Sequence, residues 1–304
     1  KLSNRDNMSS NEYKPIAKSM SEQGVPIAAE LIWGLPGDTL EQFESNLDQL
    51  LATFPNINIF GYTLLPGTEF YRRREEYRIE AIPVAGYGKA KGEYVVGCHS
   101  FTRDEGEEGY FLISSHILLV HGHIMPRTTR LLALSDSVPV SPLFRDILRA
   151  LLSALEPELQ NIDLHDRMSV YEGRDQIYLT AIAHRDTLYR TIATTLERHH
   201  LAHGADPRPA LQILQLDRAL CPRMGAEITL SRSFGFDARN AYHTLAAMDM
   251  PGTYATTDRE WSVDIHHPGG VGEILQVADG GSWLRGVILD APADPSEVQY
   301  VAIA

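Results

Sequence analysis

Cysteine, an excess of basic charge and a long apolar run are the three things this chain lacks. Its two cysteines among 304 residues, Cys98 and Cys221, exclude a disulfide framework, a C-x-x-C redox motif and a four-cysteine zinc site. Both read as reduced, structural thiols. Lys and Arg number 27 against 40 Asp and Glu, a net charge of -13, so the clustered basic excess of a phosphate-backbone binder is missing and nucleic acid is not an expected partner. The longest apolar stretch, Tyr110 to Val120, is interrupted by Ser114, Ser115 and His116 and is far shorter than the roughly 20 residues a membrane span requires. The opening Lys1-Leu2-Ser3-Asn4-Arg5 has neither an initiator Met nor the apolar core of a signal peptide, so a cytoplasmic location away from the membrane is expected. Gly86-Tyr87-Gly88-Lys89-Ala90-Lys91-Gly92 lacks the Gly-Lys-Ser/Thr of a phosphate-cradling loop and reads as a flexible loop.

What is present is the composition of an ordinary globular protein, 43% hydrophobic and 22% charged, with enough chain for about two domains of roughly 100 to 200 residues each. The texture changes near residue 75, and the expected domains are 1–75 and 76–304. In the first, Tyr13, Ile16, Ala17 and Met20 keep helical spacing up to Gly24. Ile27 to Trp33 is a short apolar run suited to a buried parallel strand, closed by the breakers Gly34-Leu35-Pro36-Gly37-Asp38-Thr39. Thr39 and Gln42 form a capping box, and Leu40, Phe43, Leu47, Leu50, Leu51 and Phe54 make an apolar stripe at helical spacing. A second strand is expected from Ile57 to Leu65, ending at Pro66-Gly67. Helix, strand, helix, strand in this order reads as βα units of a parallel sheet or barrel.

Beyond residue 75 the pattern is mainly helical. Thr102 and Glu105 form a further capping box that opens a buried helix to about Val120. Other helical runs cover Phe144 to Leu155 and about 177–201, 209–220 and 237–248. Alternation at Trp261, Val263 and Ile265, followed by Gly269-Gly270, Gly280-Gly281 and runs containing Ile274, Val277, Val287 and Ile288, predicts a small antiparallel sheet at the end. Arg72-Arg73-Arg74 is followed at once by Glu75 and Glu76, a mixed-charge helix face. Glu105, Glu107 and Glu108 in a first helical turn suit the macrodipole without any catalytic role.

The stretch Glu30-Leu31-Ile32-Trp33-Gly34-Leu35-Pro36-Gly37-Asp38-Thr39, the amphipathic helix, and then Phe60-Gly61-Tyr62-Thr63-Leu64-Leu65-Pro66-Gly67-Thr68 together resemble the radical SAM superfamily. More narrowly, they resemble the later part of the partial TIM barrel in oxygen-independent coproporphyrinogen oxidases and cobalamin-binding members. The implied fold class is α/β: the C-terminal part of a radical SAM barrel followed by a mainly helical accessory domain with a small β end. The resemblance implies that Glu30 hydrogen-bonds the ribose of S-adenosylmethionine, that the backbone at Ile32 meets adenine beside the turn glycine Gly34, and that Thr63 flanks the base. It also implies that Arg5, in the pair Asn4-Arg5, binds the SAM carboxylate, for which a guanidinium is suited bidentately. Strand C-termini and the loops after them line ligand sites in such barrels, so Glu30 and Thr63 are expected at one common end.

Each residue keeps a structural alternative: Glu30 as a strand-end carboxylate paired with a cation, Gly34 and Gly37 as ordinary turn glycines, Ile32 as core, Thr63 as barrel filling, and Arg5 as a surface side chain. The family's chemistry needs a 4Fe-4S cluster on three thiolates spaced C-x3-C-x2-C, and two distant cysteines do not provide it. The expectation is therefore a truncated chain. Its full-length parent would use a SAM-derived 5'-deoxyadenosyl radical, commonly with cobalamin in methyl transfer, on a small-molecule or peptide substrate and with an electron donor. The alternative is a non-catalytic fragment that binds a ligand or partner and lacks the cluster-binding half.

Twelve histidines raise metal binding as a third option. His199 and His203 share a helical face, but no Glu stands between them as in HExxH and Gly204 ends the helix. Helix capping is the favoured reading there, and also at His121-Gly122-His123. A His-ligated metallohydrolase ranks below both other readings.

Overall fold

The computed structural model describes residues 10–23, 25, 28–54, 57–84, 92–135, 138–223, 228–246, 258, 260–267, 287–290 and 297–302. Arg5, Gly24, the loop 86–91, Ile274, Val277 and the glycine pairs at 269–270 and 280–281 lie outside the described residues. The chain is a mixed helix-and-sheet protein. Among the described residues no helix is long and apolar enough to cross a membrane.

Helix α1 (Ser10–Glu22) is followed by β1 (Ala29–Trp33), α2 (Leu40–Thr53) and β2 (Ile57–Gly61). β1 and β2 pair in parallel, from Ala29 opposite Ile57 to Trp33 opposite Gly61. Parallel neighbours need a crossover of a dozen or more residues, and α2 provides it. Its apolar stripe is the reason it packs: Phe43, Leu47 and Leu51 are buried, as is Phe54 just beyond. The helix starts where expected, with the Gln42 N–H donating to the Thr39 hydroxyl at 3.3 Å. At its far end Arg130 donates to the carbonyls of Leu51 and Thr53, at 2.5 and 3.2 Å, satisfying acceptors that a helix terminus leaves open.

The second strand is shorter than expected. It breaks at Tyr62, and Thr63–Leu64 forms β3, which turns away to pair antiparallel with β5 (Glu93–Gly97) after α3 (Glu69–Arg72) and β4 (Glu80–Pro83). The resulting sheet has the order β3-β5-β4. Sequence pattern does not reveal β4 and β5, because one is four residues ending in Pro83 and the other is a short run without alternation.

Helix α4 (Arg103–His116) opens with the expected capping box and continues as a π-helical turn over Ile117–His121. It is the centre of the molecule, buried from Gly109 through His116. Gly109 is required there: a Cβ would lie 2.2 Å from the indole nitrogen of Trp33. Around it stand α5 (Pro126–Ser135), α6 (Val140–Ala154), α7 (Arg167–Glu172), α8 (Arg174–Ala183), α9 (Arg185–Ala202) and α10 (Arg208–Leu220). The helix expected over about 177–201 is thus two helices, broken at His184. One continuous cluster of buried side chains joins both sides of residue 75, including Leu47, Ile57, Leu112 and Phe144.

The end of the chain holds β6 (Ile228–Phe234), α11 (Ala238–Ala246), β7 (Trp261–His267), β8 (Val287–Asp290) and β9 (Glu297–Ala302). The small terminal sheet is present but mixed, in the order β6-β7-β9-β8, with β7 and β9 parallel. The antiparallel expectation is corrected on this point, since β9 enters between β7 and β8 rather than continuing a meander.

Candidate functional site

The turn after β1 is the best-organised candidate. Trp33 is fully buried, with ring centroids 4.9 Å from Phe43 and 4.8 Å from Phe101, and its indole N–H donates to the Gly106 carbonyl at 2.9 Å. The chain then reverses through Gly34 at φ +101° and Gly37 at φ +106°, backbone conformations that favour glycine. The Asp38 carboxylate pins the turn by accepting from the N–H groups of Gly34 (3.2 Å) and Leu35 (2.9 Å). Gly37 N–H donates to the Ser100 hydroxyl at 2.9 Å, and that hydroxyl lies 3.2 Å from Cys98 Sγ. On the neighbouring strand Tyr62 N–H donates to the Trp33 carbonyl at 2.6 Å, and the Tyr62 carbonyl accepts from Val95 N–H at 3.3 Å. The strand end is therefore roofed by β5, the start of α4 and the 98–101 turn.

Asp38 is the functional candidate that the motif reading leaves without a role. Burial pushes its carboxyl up to about 6, with the two backbone hydrogen bonds pulling the other way. A carboxyl titrating near neutrality in a strand-end turn has the property expected of a proton-transfer group. Its sequence signal is an Asp that follows a Gly-x-Pro-Gly turn and can bond backwards to the amides it has just passed.

Of the residues singled out by resemblance, Arg5 lies outside the described residues. Glu30 is exposed, near the start of β1 and opposite Asn58; Ile32 is half-buried, on the same face of the strand and opposite Phe60. Gly34 is buried, where a Cβ would lie 3.3 Å from the Val95 carbonyl. Thr63 is on β3, opposite Tyr94 and beyond the end of β2. Glu30 thus lies near the start of β1, whereas Thr63 follows the break at Tyr62, where the chain leaves β2 to pair with β5.

The thiols do not fit an iron–sulfur cluster. Cys98 is half-buried after β5, Cys221 is buried at the end of α10, and among the described residues no three His, Cys, Asp or Glu side chains group to hold a metal ion.

The histidines divide between surface and core. His203 ends α9, its Nδ1 2.8 Å from the His199 carbonyl, and His199 Nε2 is 2.8 Å from Asp146, in keeping with capping. His116 is different. It is fully buried, neither ring nitrogen has a hydrogen-bond partner among the described residues, and its ring stands 4.9 Å from that of His121. Burial, reinforced by His121, pushes its pKa well down, so it is held neutral. His121, on the π-helical turn, bonds the Ile57 carbonyl at the start of β2.

No protein-family model matches the chain, and no curated protein matches it.

Proposed function

We propose that the chain is the C-terminal portion of a radical SAM enzyme of the cobalamin-dependent type, with β1, α2 and β2 contributing to the barrel wall and the helical region forming an accessory domain. The observation that carries the proposal is the parallel β1–α2–β2 unit whose strand-to-helix turn is Gly34-Leu35-Pro36-Gly37-Asp38-Thr39. In this reading Asp38 holds the backbone of the turn, and through it the Ile32–Gly34 strand end, in one conformation. Three cluster thiolates have to come from polypeptide other than these residues, so no radical step is assigned to side chains of this chain.

The gene sequence preceding the Lys1 codon tests the reading: a C-x3-C-x2-C triplet is expected within one barrel's length, and its absence would overturn it. In the longer protein, Glu30→Ala is expected to weaken SAM binding about 10- to 150-fold, the loss of a hydrogen bond to a charged group. Calorimetric titration that finds an unchanged dissociation constant would remove Glu30 from the site.

A second reading, a ligand- or partner-binding fragment without turnover, is favoured by one observation. The end of the β1–β2 pair is roofed by the chain itself, through the contacts of Trp33 with Gly106 and of Gly37 with Ser100. Anaerobic reconstitution separates the two, because a fragment of that kind takes up no stoichiometric iron and sulfide even when its upstream segment is present.

A further inference from the structure

The break at His184 opens a cleft of about 740 Å³ between the start of α9, the end of α10 and β6. Three elements and the segment after α10 each send an arginine to its wall: Arg185, Arg218, Arg232 and Arg223. Asp186 is the one carboxylate among the described lining residues, and it is paired with Arg218 at 2.7 Å. The lining thus carries an excess of positive charge on a chain whose net charge is -13. Concave basic surface on an acidic protein concentrates anions, because low-dielectric walls focus the field.

The backbone adds to the same field. Helix α9 runs for 18 residues from Arg185, and its N-cap, His184, makes no side-chain capping bond. Across that start the Leu188 N–H donates to the His184 carbonyl at 3.0 Å. The amides of Arg185, Asp186 and Thr187 therefore stand at the positive end of the helix dipole, an arrangement that suits anions. Arg185 is already positioned, since its Nη1 donates to the carbonyls of Cys221 (3.1 Å) and Pro222 (3.3 Å) and its guanidinium lies 5.3 Å from the Tyr189 ring centre. Phe234 supplies an apolar wall, backed by Trp261 with ring centroids 6.0 Å apart.

We propose that this cleft is a binding site for a phosphorylated small molecule, with phosphate oxygens held by the arginines and the start of α9 and the remainder of the ligand against Phe234. Phosphate is favoured over carboxylate by charge, because several guanidiniums and a helix N-terminus together match a polyanion, and arginine forks match phosphate oxygens bidentately. The volume falls in the range of about 300 to 1,000 Å³ usual for small-molecule sites, larger than an isolated ion needs. The site is remote in sequence from the β1 turn and does not depend on the radical SAM reading.

The test is calorimetric titration of the full chain with pyrophosphate, ADP and citrate at about 0.15 M salt, which screens loose surface attraction. Saturable binding of pyrophosphate or ADP is expected, with citrate at least tenfold weaker. Tighter binding of ADP than of pyrophosphate assigns the Phe234 wall to an organic moiety, and the reverse order assigns the site to inorganic polyphosphate. Arg218→Gln and Arg232→Gln remove exposed cleft arginines and are each expected to weaken pyrophosphate about tenfold, the scale of a lost charge-assisted contact. Arg198→Gln, further along α9, paired with Asp146 and outside the lining, is expected to leave affinity unchanged. Equal affinity for citrate, equal losses in Arg198→Gln, or displacement by a short oligonucleotide at lower concentration than by ADP would overturn the proposal. Far-ultraviolet circular dichroism of each variant confirms that it is folded.

Discussion

Two aspartates bridge pairs of helices in this protein, and their surroundings make them opposites. Asp217 joins α10 to α5 in the core: it accepts from the Arg127 N–H (3.3 Å), the Thr128 N–H (2.8 Å) and the Thr128 hydroxyl (2.8 Å), with Arg127 Nη1 at 3.7 Å. Asp146 joins α6 to α9 at the surface, within 2.8 Å of His199, 3.4 Å of Arg149 and 3.5 Å of Arg198. Burial dominates at Asp217 and pushes its carboxyl up to about 6, against the pull of Arg127 and the hydrogen bonds. At Asp146 burial also pushes upward, but His199 and the two arginines outweigh it and the carboxyl ends below its usual range. The sign follows the balance of the two effects: full burial with one arginine leaves Asp217 raised, whereas partial exposure with a histidine and two arginines leaves Asp146 lowered.

The largest expected effect breaks the buried bridge. Asp217→Ala strands the Arg127 guanidinium, the Thr128 hydroxyl and two first-turn amides of α5, and should cost about 3 to 5 kcal/mol in denaturant unfolding. Asp217→Asn keeps an acceptor and should cost less, while abolishing a pH dependence. A carboxyl whose folded pKa is raised contributes stability that is complete below the unfolded value, about 3.9, and is lost as pH rises through about 6. If stability between pH 4 and 6 followed the same curve in wild type and Asp217→Asn, the carboxyl would not be the titrating group.

His116 extends the comparison to a buried base whose ring nitrogens have no hydrogen-bond partner among the described residues. His116→Leu removes an unsatisfied imidazole and should leave stability at neutral pH within about 1 kcal/mol of wild type, or raise it. Because the folded pKa is depressed, the unfolded chain binds the proton first, so wild type should lose stability as pH falls below about 6.5 and the variant should lose less. A loss of several kcal/mol in the variant at neutral pH would mean that the imidazole makes a contact that leucine cannot replace.

Asp146→Asn is expected to have the smallest effect, below about 1 kcal/mol, since exposed pairs are screened by water and salt. Its stabilising contribution is present above about 3.9 and is lost as pH falls through the lowered folded value. A cost equal to that of Asp217→Ala would erase the distinction drawn between the two bridges.

The same division between local and distant causes runs through the fold. The stripe from Leu40 to Phe54 and the capping box at Thr102 and Glu105 follow from spacings of a few residues, the parallel β1–β2 order follows from the succession of elements, and all are found. The break at His184 is invisible because Ile182 and Leu188 keep apolar residues in place on either side of it. Glu108 reads as a dipole residue, yet it bridges α4 to α6 and α7 through Arg145, Arg149 and Arg167. Asp38 reads as part of a turn, and only burial in the folded chain pushes its carboxyl up to about 6.

Periodicity and capping chemistry determine where α2 and α4 start and which faces they bury, because those preferences act between residues one or two turns apart, while the succession strand, helix, strand implies that α2 joins two parallel strands. Tertiary structure alone decides that Thr63 leaves the β2 line for β5, that β9 enters the terminal sheet beside β7, and that four arginines distant in sequence share one cleft. Those outcomes depend on pairing and desolvation between segments far apart in the chain, and the energy of such contacts exists only once the core has brought the segments together.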